Sequence, residues 1–314
     1  MALISVRNLT KTFGSTLAVD DITFDVSRGE VLGFLGPNAA GKTTTMRMLT
    51  CYLAPDRGSA MLAGHDILDD SLEVRRRVGY LPESAPLYLD MDVVSYLAFV
   101  AEVRGIPRAE TRQRIDRMIE TCGLQRVIGR NIGQLSKGYK QRVGLAQTLI
   151  HDPDILILDE PTTGLDPSQI IEIRELIKEM GKQRTVILST HILPEVEATC
   201  TRVLIINEGR IVASGTPQEL QAIAGGEDTI YVSVNSAGEP VDAKLAAISS
   251  VTSVSRITDA AGGYVRYLVK AGDGEDTAEA IFRIAVENTW KINELHRQRL
   301  SLEDIFLKLT TRET

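Results

Sequence analysis

The chain has 314 residues, a length that points to two domains. Hydrophobic residues make up 43% and charged residues 25%, ordinary proportions for a globular protein with a sizeable core. The net charge is −7 and the bases are dispersed, so nucleic acid is not the expected partner. No apolar stretch approaches the ~18 residues of a membrane span, and Met1–Ser5 lacks the basic-then-apolar pattern of a signal peptide. Cys51, Cys122 and Cys200 are odd in number and scattered, as are the histidines. Neither a disulfide framework nor a metal cluster can be assembled from them, and a reducing cytosol is expected.

In chain order, residues 3–8 and 17–26 read as strands around a loop at Lys11-Thr12-Phe13-Gly14. Val31-Leu32-Gly33-Phe34-Leu35 is a short apolar run, as a buried strand should be. Gly36-Pro37-Asn38-Ala39-Ala40-Gly41-Lys42-Thr43-Thr44 then fits G-x-x-x-x-G-K-[ST], the phosphate-binding P-loop. Such a loop wraps backbone N–H groups around a polyphosphate, and its glycines permit the turns that aim them inward. Lys42 would reach the β- and γ-phosphates, and the Thr43 hydroxyl would help hold Mg²⁺. Lys42 to Cys51 reads as a helix whose positive end faces the phosphates.

Residues 59–63 read as a strand, 72–77 as a helix and 78–81 as a strand stopped by Pro82. Arg75-Arg76-Arg77, the densest basic run, reads as a solvated helix face. Val93, Tyr96, Leu97 and Val100 mark a helix over 92–103, which Gly105 and Pro107 end. Residues 110–122 form another helix, with Ile115, Met118 and Ile119 on one side. Ser136 caps a helix running to about Ile150.

Ile155-Leu156-Ile157-Leu158-Asp159-Glu160 is an apolar strand ending in two acids. Alone, it reads as a buried strand with solvated acids at its end. Behind a P-loop, Asp159 is placed to hold the Mg²⁺ that Thr43 also touches, and Glu160 to polarise a water against the γ-phosphate. A helix over 167–181 and strands over 185–189 and 203–206 complete an α/β core with a mainly parallel sheet. The pattern breaks at Ala222–Asp228, where Gly225-Gly226 interrupts it. Strands at 229–234, 251–257, 263–270 and 290–296 and helices at 241–248 and 277–288 then give β-α-β-β-α-β, a ferredoxin-like order. Ser301–Leu309 adds a closing helix. This tail holds no catalytic constellation; regulation, dimer contact, partner docking and simple stabilisation all stay open for it.

Residues 3–220 resemble the nucleotide-binding subunits of ABC transporters. Ser136-Lys137-Gly138-Tyr139-Lys140-Gln141-Arg142 after Leu135 looks like the family signature. Gly164-Leu165-Asp166-Pro167 looks like the D-loop, and His191 after Ser189-Thr190 like the switch histidine. Phe13 stands where an aromatic residue stacks on adenine, with packing as its other reading, and Glu83 after Tyr80-Leu81-Pro82 stands at the Q-loop position. The wording at 79–83, 135–139 and 301–306 is similar to bacterial exporter subunits with separate permease chains, such as the gliding-motility, copper-processing and drug-export ATPases.

The resemblance implies a P-loop NTPase cassette at 1–222, with an antiparallel β subdomain and a helical subdomain, and a small α+β domain at 228–314. It also implies ATP and Mg²⁺ as ligands. The nucleotide would lie on residues 36–44 and Phe13 of one copy and on Ser136 and Gly138 of a second, head to tail. Thr43, Glu83 and Asp159 would serve the metal. Glu160 would be the base, His191 would contact the γ-phosphate, and Asp166 would link the two sites. Residues 83–105 would signal to a membrane permease through a patch of Pro86, Leu87, Tyr88 and Met91, placing the chain on the inner face of the membrane. A cytosolic ABC ATPase without a permease is the alternative, though the chain lacks the second cassette or long coiled-coil insertion of such members. A non-hydrolysing nucleotide sensor would need neither Glu160 nor His191.

Some positions depart from the family pattern. Ala39 replaces a glycine, which is tolerable at negative φ but costs about 1–2 kcal/mol at positive φ. Glu83 replaces glutamine and adds negative charge near the γ-phosphate. Lys137 and Tyr139 replace glycine and glutamine in the signature, and Lys137 either offsets that charge or is simply solvated.

Overall fold

The computed structural model describes residues 2–224, 228–236, 240–260, 263–272, 276–298 and 302–310. Gly225-Gly226 and Ser301 lie outside these residues. The chain divides into two compact units, Met1–Pro217 with Lys308–Thr314, and Gln218–Leu307.

In the first unit, β1 (Ala2–Phe13) and β2 (Thr16–Ser27) pair antiparallel. Lys11, Thr12 and Phe13 are strand residues rather than a loop. The ladder continues, with register shifts on both sides of Lys11, as far as Phe13↔Thr16, and the turn is confined to Gly14-Ser15. β3 (Val31–Leu35) leads through the P-loop to α1 (Lys42–Leu49), and β4 (Arg57–Leu62) and β5 (His65–Asp66) follow. These two strands join the first pair in a four-stranded sheet of order β2-β1-β4-β5. α2 (Ser71–Arg77) presents Arg75, Arg76 and Arg77 outward and buries Val74, as the sequence implies. After β6 (Val78–Leu81), the helices α3 (Val93–Val103), α4 (Arg108–Thr121) and α5 (Lys137–Leu149) pack on one another. Asp92 caps α3 by accepting from the Val94 and Ser95 N–H groups, each at 3.0 Å.

β7 (Ile155–Asp159), α6 (Pro167–Gly181), β8 (Thr185–Thr190), α7 (Leu193–Thr199), β9 (Arg202–Asn207) and β10 (Arg210–Gly215) complete the first unit, and α8 (Pro217–Ala224) runs on into the second. The central sheet has order β10-β9-β3-β8-β7-β6, parallel except for β10. β3, β7 and β8 are buried along their whole length, and β3 and the first four residues of β7 read as unbroken apolar runs for that reason. Parallel register puts Leu35 beside Thr190 and Asp159 beside Ser189, so three carboxyl strand ends share one edge. An open α/β sheet binds its ligands at this edge.

β5, with two residues, is too short for its periodicity to stand out, and α7, β10 and α8 also escape the sequence reading. β10 returns from β9 through Glu208-Gly209, both at positive φ (48° and 79°), the geometry of a tight hairpin turn.

The second unit follows the expected chain order: β11 (Asp228–Asn235), α9 (Val241–Ala246), β12 (Val251–Ala260), β13 (Tyr264–Ala271), α10 (Thr277–Glu287) and β14 (Lys291–Gln298). α11 (Leu302–Thr310) follows β14. The sheet order β12-β13-β11-β14, antiparallel throughout, is the ferredoxin-like arrangement. Ile230, Val232, Val234, Val269, Ile281 and Trp290 belong to a core of its own.

His151, between α5 and β7, lies with Nε2 3.2 Å from the Val78 carbonyl, while Nδ1 is buried without a hydrogen-bond partner. Burial, helped by the Arg104 cation, takes its pKa from 6.5 down to about 4. The folded ring thus refuses a proton that the unfolded chain accepts. The resulting stability is complete above about pH 6.5 and is lost as the pH falls towards 4. His151→Gln keeps a donor for Val78, so its urea midpoint is expected to fall less between pH 7 and pH 5 than that of the wild type. Equal falls in both chains would dismiss this account.

Candidate active site

The P-loop leaves β3 and turns sharply into α1. Gly41 has φ 105°, and a Cβ there would sit 2.5 Å from the Ala18 carbonyl oxygen, so only glycine fits. As the N-cap of α1, Gly41 carries no side chain to occupy the first N–H groups of the helix. Those groups and the helix dipole suit a phosphate. Ala39 has φ 64°, so the strained branch of the sequence expectation applies and the methyl costs about 1–2 kcal/mol. Lys42 is 5% exposed, with Nζ 2.7 Å from the Gly36 carbonyl oxygen and 3.1 Å from that of Pro37.

The end of β7 supplies the acids. Asp159 Oδ1 accepts from the Thr43 hydroxyl at 3.3 Å and from the Ser189 hydroxyl. Oδ2 is buried without a hydrogen-bond partner. Burial raises the pKa of Asp159 against the pull of those two hydroxyls, and the charges of Glu160 and Glu83 raise it further. A hard divalent cation that keeps waters and phosphate oxygens as its other ligands needs only one or two protein oxygens. The Thr43 hydroxyl and the unpartnered Asp159 oxygen therefore fit Mg²⁺. Among the described residues, no group of three or more His, Cys, Asp or Glu could hold a metal by itself.

Glu160 is 6% exposed and has φ 49°, with its N–H donating to the Ser189 carbonyl at 3.0 Å. Its carboxylate lies between two cationic or protonatable groups: Oε1 is 3.4 Å from Lys42 Nζ, and Oε2 is 2.9 Å from His191 Nδ1. The Thr163 hydroxyl donates to Oε2 at 3.3 Å.

A cavity of about 950 Å³ gathers these groups. Phe13, Asn38, Ala39, Gly41, Lys42, Thr43, Thr44, Glu83, Glu160 and His191 line it. Gly36, Pro37, Ala40 and Asp159 lie outside that lining and support it from below or behind. Thr16, Leu17, Ala18, Thr163 and Glu208 also line it, and none was singled out from sequence. They carry no motif, and only the β1–β2 and β9–β10 hairpins bring three of their number, Thr16, Leu17 and Glu208, to the rim. Phe13 is half exposed there, with Lys11 Nζ 5.8 Å from its ring centroid.

Ser136, Gly138 and Asp166 do not line this cavity. Ser136 caps α5, its hydroxyl accepting from the Tyr139 N–H at 3.4 Å. Gly138 packs against Gln169, where a Cβ would come within 2.6 Å of the amide carbon. Asp166 caps α6, accepting from the Gln169 N–H at 2.9 Å, and the Ser168 hydroxyl holds its pKa down. Lys137 lies over the D-loop: a Cβ on Gly164 would meet its Nζ at 2.1 Å. It forms no ion pair with Glu83, and its side chain is exposed, so of the two expectations the solvated one fits.

A family model described as ABC transporter matches residues 19–163. A second, described as ATP-binding protein DrrA1-3-like, C-terminal domain, matches residues 215–310. Nod factor export ATP-binding protein I of Cupriavidus metallidurans is 34% identical over 313 residues, covering 99% of this chain and 98% of that one. The chain belongs to the ABC transporter family. It is one of the family's ATP-binding, ATP-hydrolysing subunits. The probable multidrug ABC transporter ATP-binding protein YbhF of Escherichia coli is 39% identical over 227 residues, covering 72% of this chain and 39% of that one. Among solved structures, an ATP-binding subunit of an ABC transporter aligns with TM-score 0.65 and 32% identity, over 71% of this chain and 93% of that one. Another, cbiO1 from Clostridium perfringens, part of the complex cbiONQ, aligns with TM-score 0.65 and 31% identity, over 70% and 91%.

Ala39→Gly removes the strained methyl but loosens the unfolded chain by about 0.4–1 kcal/mol. The net expectation is a gain of about 0.5–1 kcal/mol, or about 1–3 °C in Tm by calorimetry. A lower Tm would show that the loop does not carry this strain.

Proposed function

We propose that this chain powers a membrane exporter whose permease chains are separate, and that two copies act head to tail with ATP between them. The observation that carries the residue assignment is Glu160, held between Lys42 and His191 at the end of the strand beside the P-loop. A buried carboxylate so fixed can orient a water and take its proton as the water attacks the γ-phosphate. Lys42 is within reach of the same point and would exchange its carbonyl partners for β- and γ-phosphate oxygens. Thr43 and Asp159 would hold Mg²⁺, which when bound neutralises charge developing on the transferred phosphoryl group. His191, bonded to Glu160, would report the state of the γ-phosphate to the segment that follows it. Phe13 would stack on the adenine, and Glu83 would meet the metal or its water.

Ser136 and Gly138 lie at the N-terminus of α5 and outside the P-loop cavity of their own chain. This supports a site completed by a second copy, in which Asp166 joins the two halves. Tyr88, 56% exposed, meets Phe99 edge-on at 5.3 Å and Tyr96 at 6.0 Å. That aromatic patch supports residues 83–105 as the permease contact, and hence a place on the inner face of the membrane. No described helix is long and apolar enough to cross a membrane itself. We assign residues 1–222 to the ATPase and 228–314 to an accessory domain. The export relatives that match over nearly the whole chain support an exporter.

Glu160→Gln is expected to keep ATP binding while steady-state hydrolysis falls by about 10²–10⁴-fold; unchanged turnover would remove Glu160 from its role. The composite site is tested by mixing. A Lys42→Ala chain and a Ser136→Arg chain form mixed dimers with one doubly defective site and one intact site. ATPase activity should partly return on mixing. A mixture that stays inactive, when either mutant mixed with wild type shows that single-site dimers turn over, would reject the head-to-tail arrangement.

A further inference from the structure

Glu195, on the first turn of α7, is 1% exposed, which is costly for a carboxylate unless it is well partnered. Its side-chain partners come from three other segments. The Thr162 hydroxyl donates to Oε1, and the Thr190 hydroxyl donates to Oε2 at 2.8 Å. The Arg174 guanidinium of α6 stands 3.8 Å from Oε1, with its Nε buried and unpartnered, so the hydroxyls hold the carboxylate more closely than the cation does.

Those hydroxyls belong to the two segments that carry the proposed chemistry. Thr162 lies in the turn that follows Glu160, where the Thr163 N–H donates back to the Glu160 carbonyl at 3.2 Å. Thr190 immediately precedes His191. Its hydroxyl also accepts from the Ile192 N–H at 3.0 Å, and its carbonyl accepts from the Gly36 N–H of the P-loop at 3.4 Å. One carboxylate therefore pins the backbone on both sides of the Glu160–His191 hydrogen bond.

We propose that Glu195 is a positioning residue for ATP hydrolysis, clamping the turn after Glu160 and the His191 segment in mutual register. It touches neither the nucleotide cavity nor the reacting atoms, and it acts through Glu160 and His191. The proposal rests on the assignment of those two residues above. A carboxylate suits the task because its two oxygens accept from two hydroxyl donors at once. An apolar side chain would fill the space but leave both threonine O–H groups without an acceptor.

The test is steady-state ATP hydrolysis by the full chain over a range of ATP concentrations, with Tm measured alongside. Glu195→Gln keeps the volume but offers only one acceptor oxygen. Its kcat is expected to fall by about 10- to 100-fold, as for a small misplacement of catalytic groups. Its KM for ATP should stay within about twofold, because the P-loop is intact. Glu195→Gln combined with His191→Ala should lose clearly less than the product of the two single losses, since one of the two groups through which Glu195 acts is already gone. If Glu195→Gln does not fold, Thr190→Val deletes one hydroxyl at nearly constant volume and should show the same selective loss of kcat. Unchanged kcat in a folded variant, a parallel failure of kcat and KM, or losses that multiply in the double variant would overturn the proposal. Glu160→Gln and His191→Ala serve as references. If both keep wild-type turnover, the assignment of the site falls and the proposal with it; if they lose turnover while Glu195→Gln does not, the proposal alone falls.

Discussion

Asp159 and Glu160 stand side by side at the buried end of β7, and two adjacent carboxylates withdrawn from water repel each other and lose hydration. Each needs compensation, and the surrounding elements are arranged to give it. Asp159 takes hydroxyls from α1 and β8; Glu160 takes the Lys42 ammonium, the His191 ring and the Thr163 hydroxyl. The parallel register of β3, β8 and β7 brings these partners to one edge. A slip of one residue between β7 and β8 would move Ser189 away from Asp159 and remove the hydroxyl that the buried acid accepts from it. The same arrangement leaves one Asp159 oxygen facing no donor, and that is the oxygen a cation can use.

Much of this was legible in the sequence because the chain is punctuated by strong signals. The P-loop glycines, the apolar run ending in Asp159-Glu160, and the capping residue Ser136 each fix local backbone geometry through a short-range cause. The second unit was legible for the same reason. Its strands and helices alternate cleanly, and α10 carries a buried stripe of Ala280, Ile281 and Ala285.

What the sequence concealed is of a different kind. Lys11 to Phe13 looked like a loop because polar and small residues cluster there, but cross-strand pairing extends the ladder to Phe13. The sign of φ at Ala39 decides whether its methyl is neutral or strained, and no neighbouring residue announces it. Lys137 reaches Gly164 only because α5 and the turn before α6 meet in space. Ser189 bonds Asp159, and Glu195 bonds Thr162 and Thr190, by contacts that have no sequence period. Local propensity specified the elements, whereas the long-range hydrogen bonds that orient the chemistry depend on the sheet order.

The exposed Lys137 side chain passes over Gly164, so the signature turn and the D-loop turn of one chain are neighbours. In the head-to-tail pair proposed above, those two turns would face different nucleotides. A bias of one site by the other would then have a short path through this contact, and by linkage it would have the same size in both directions.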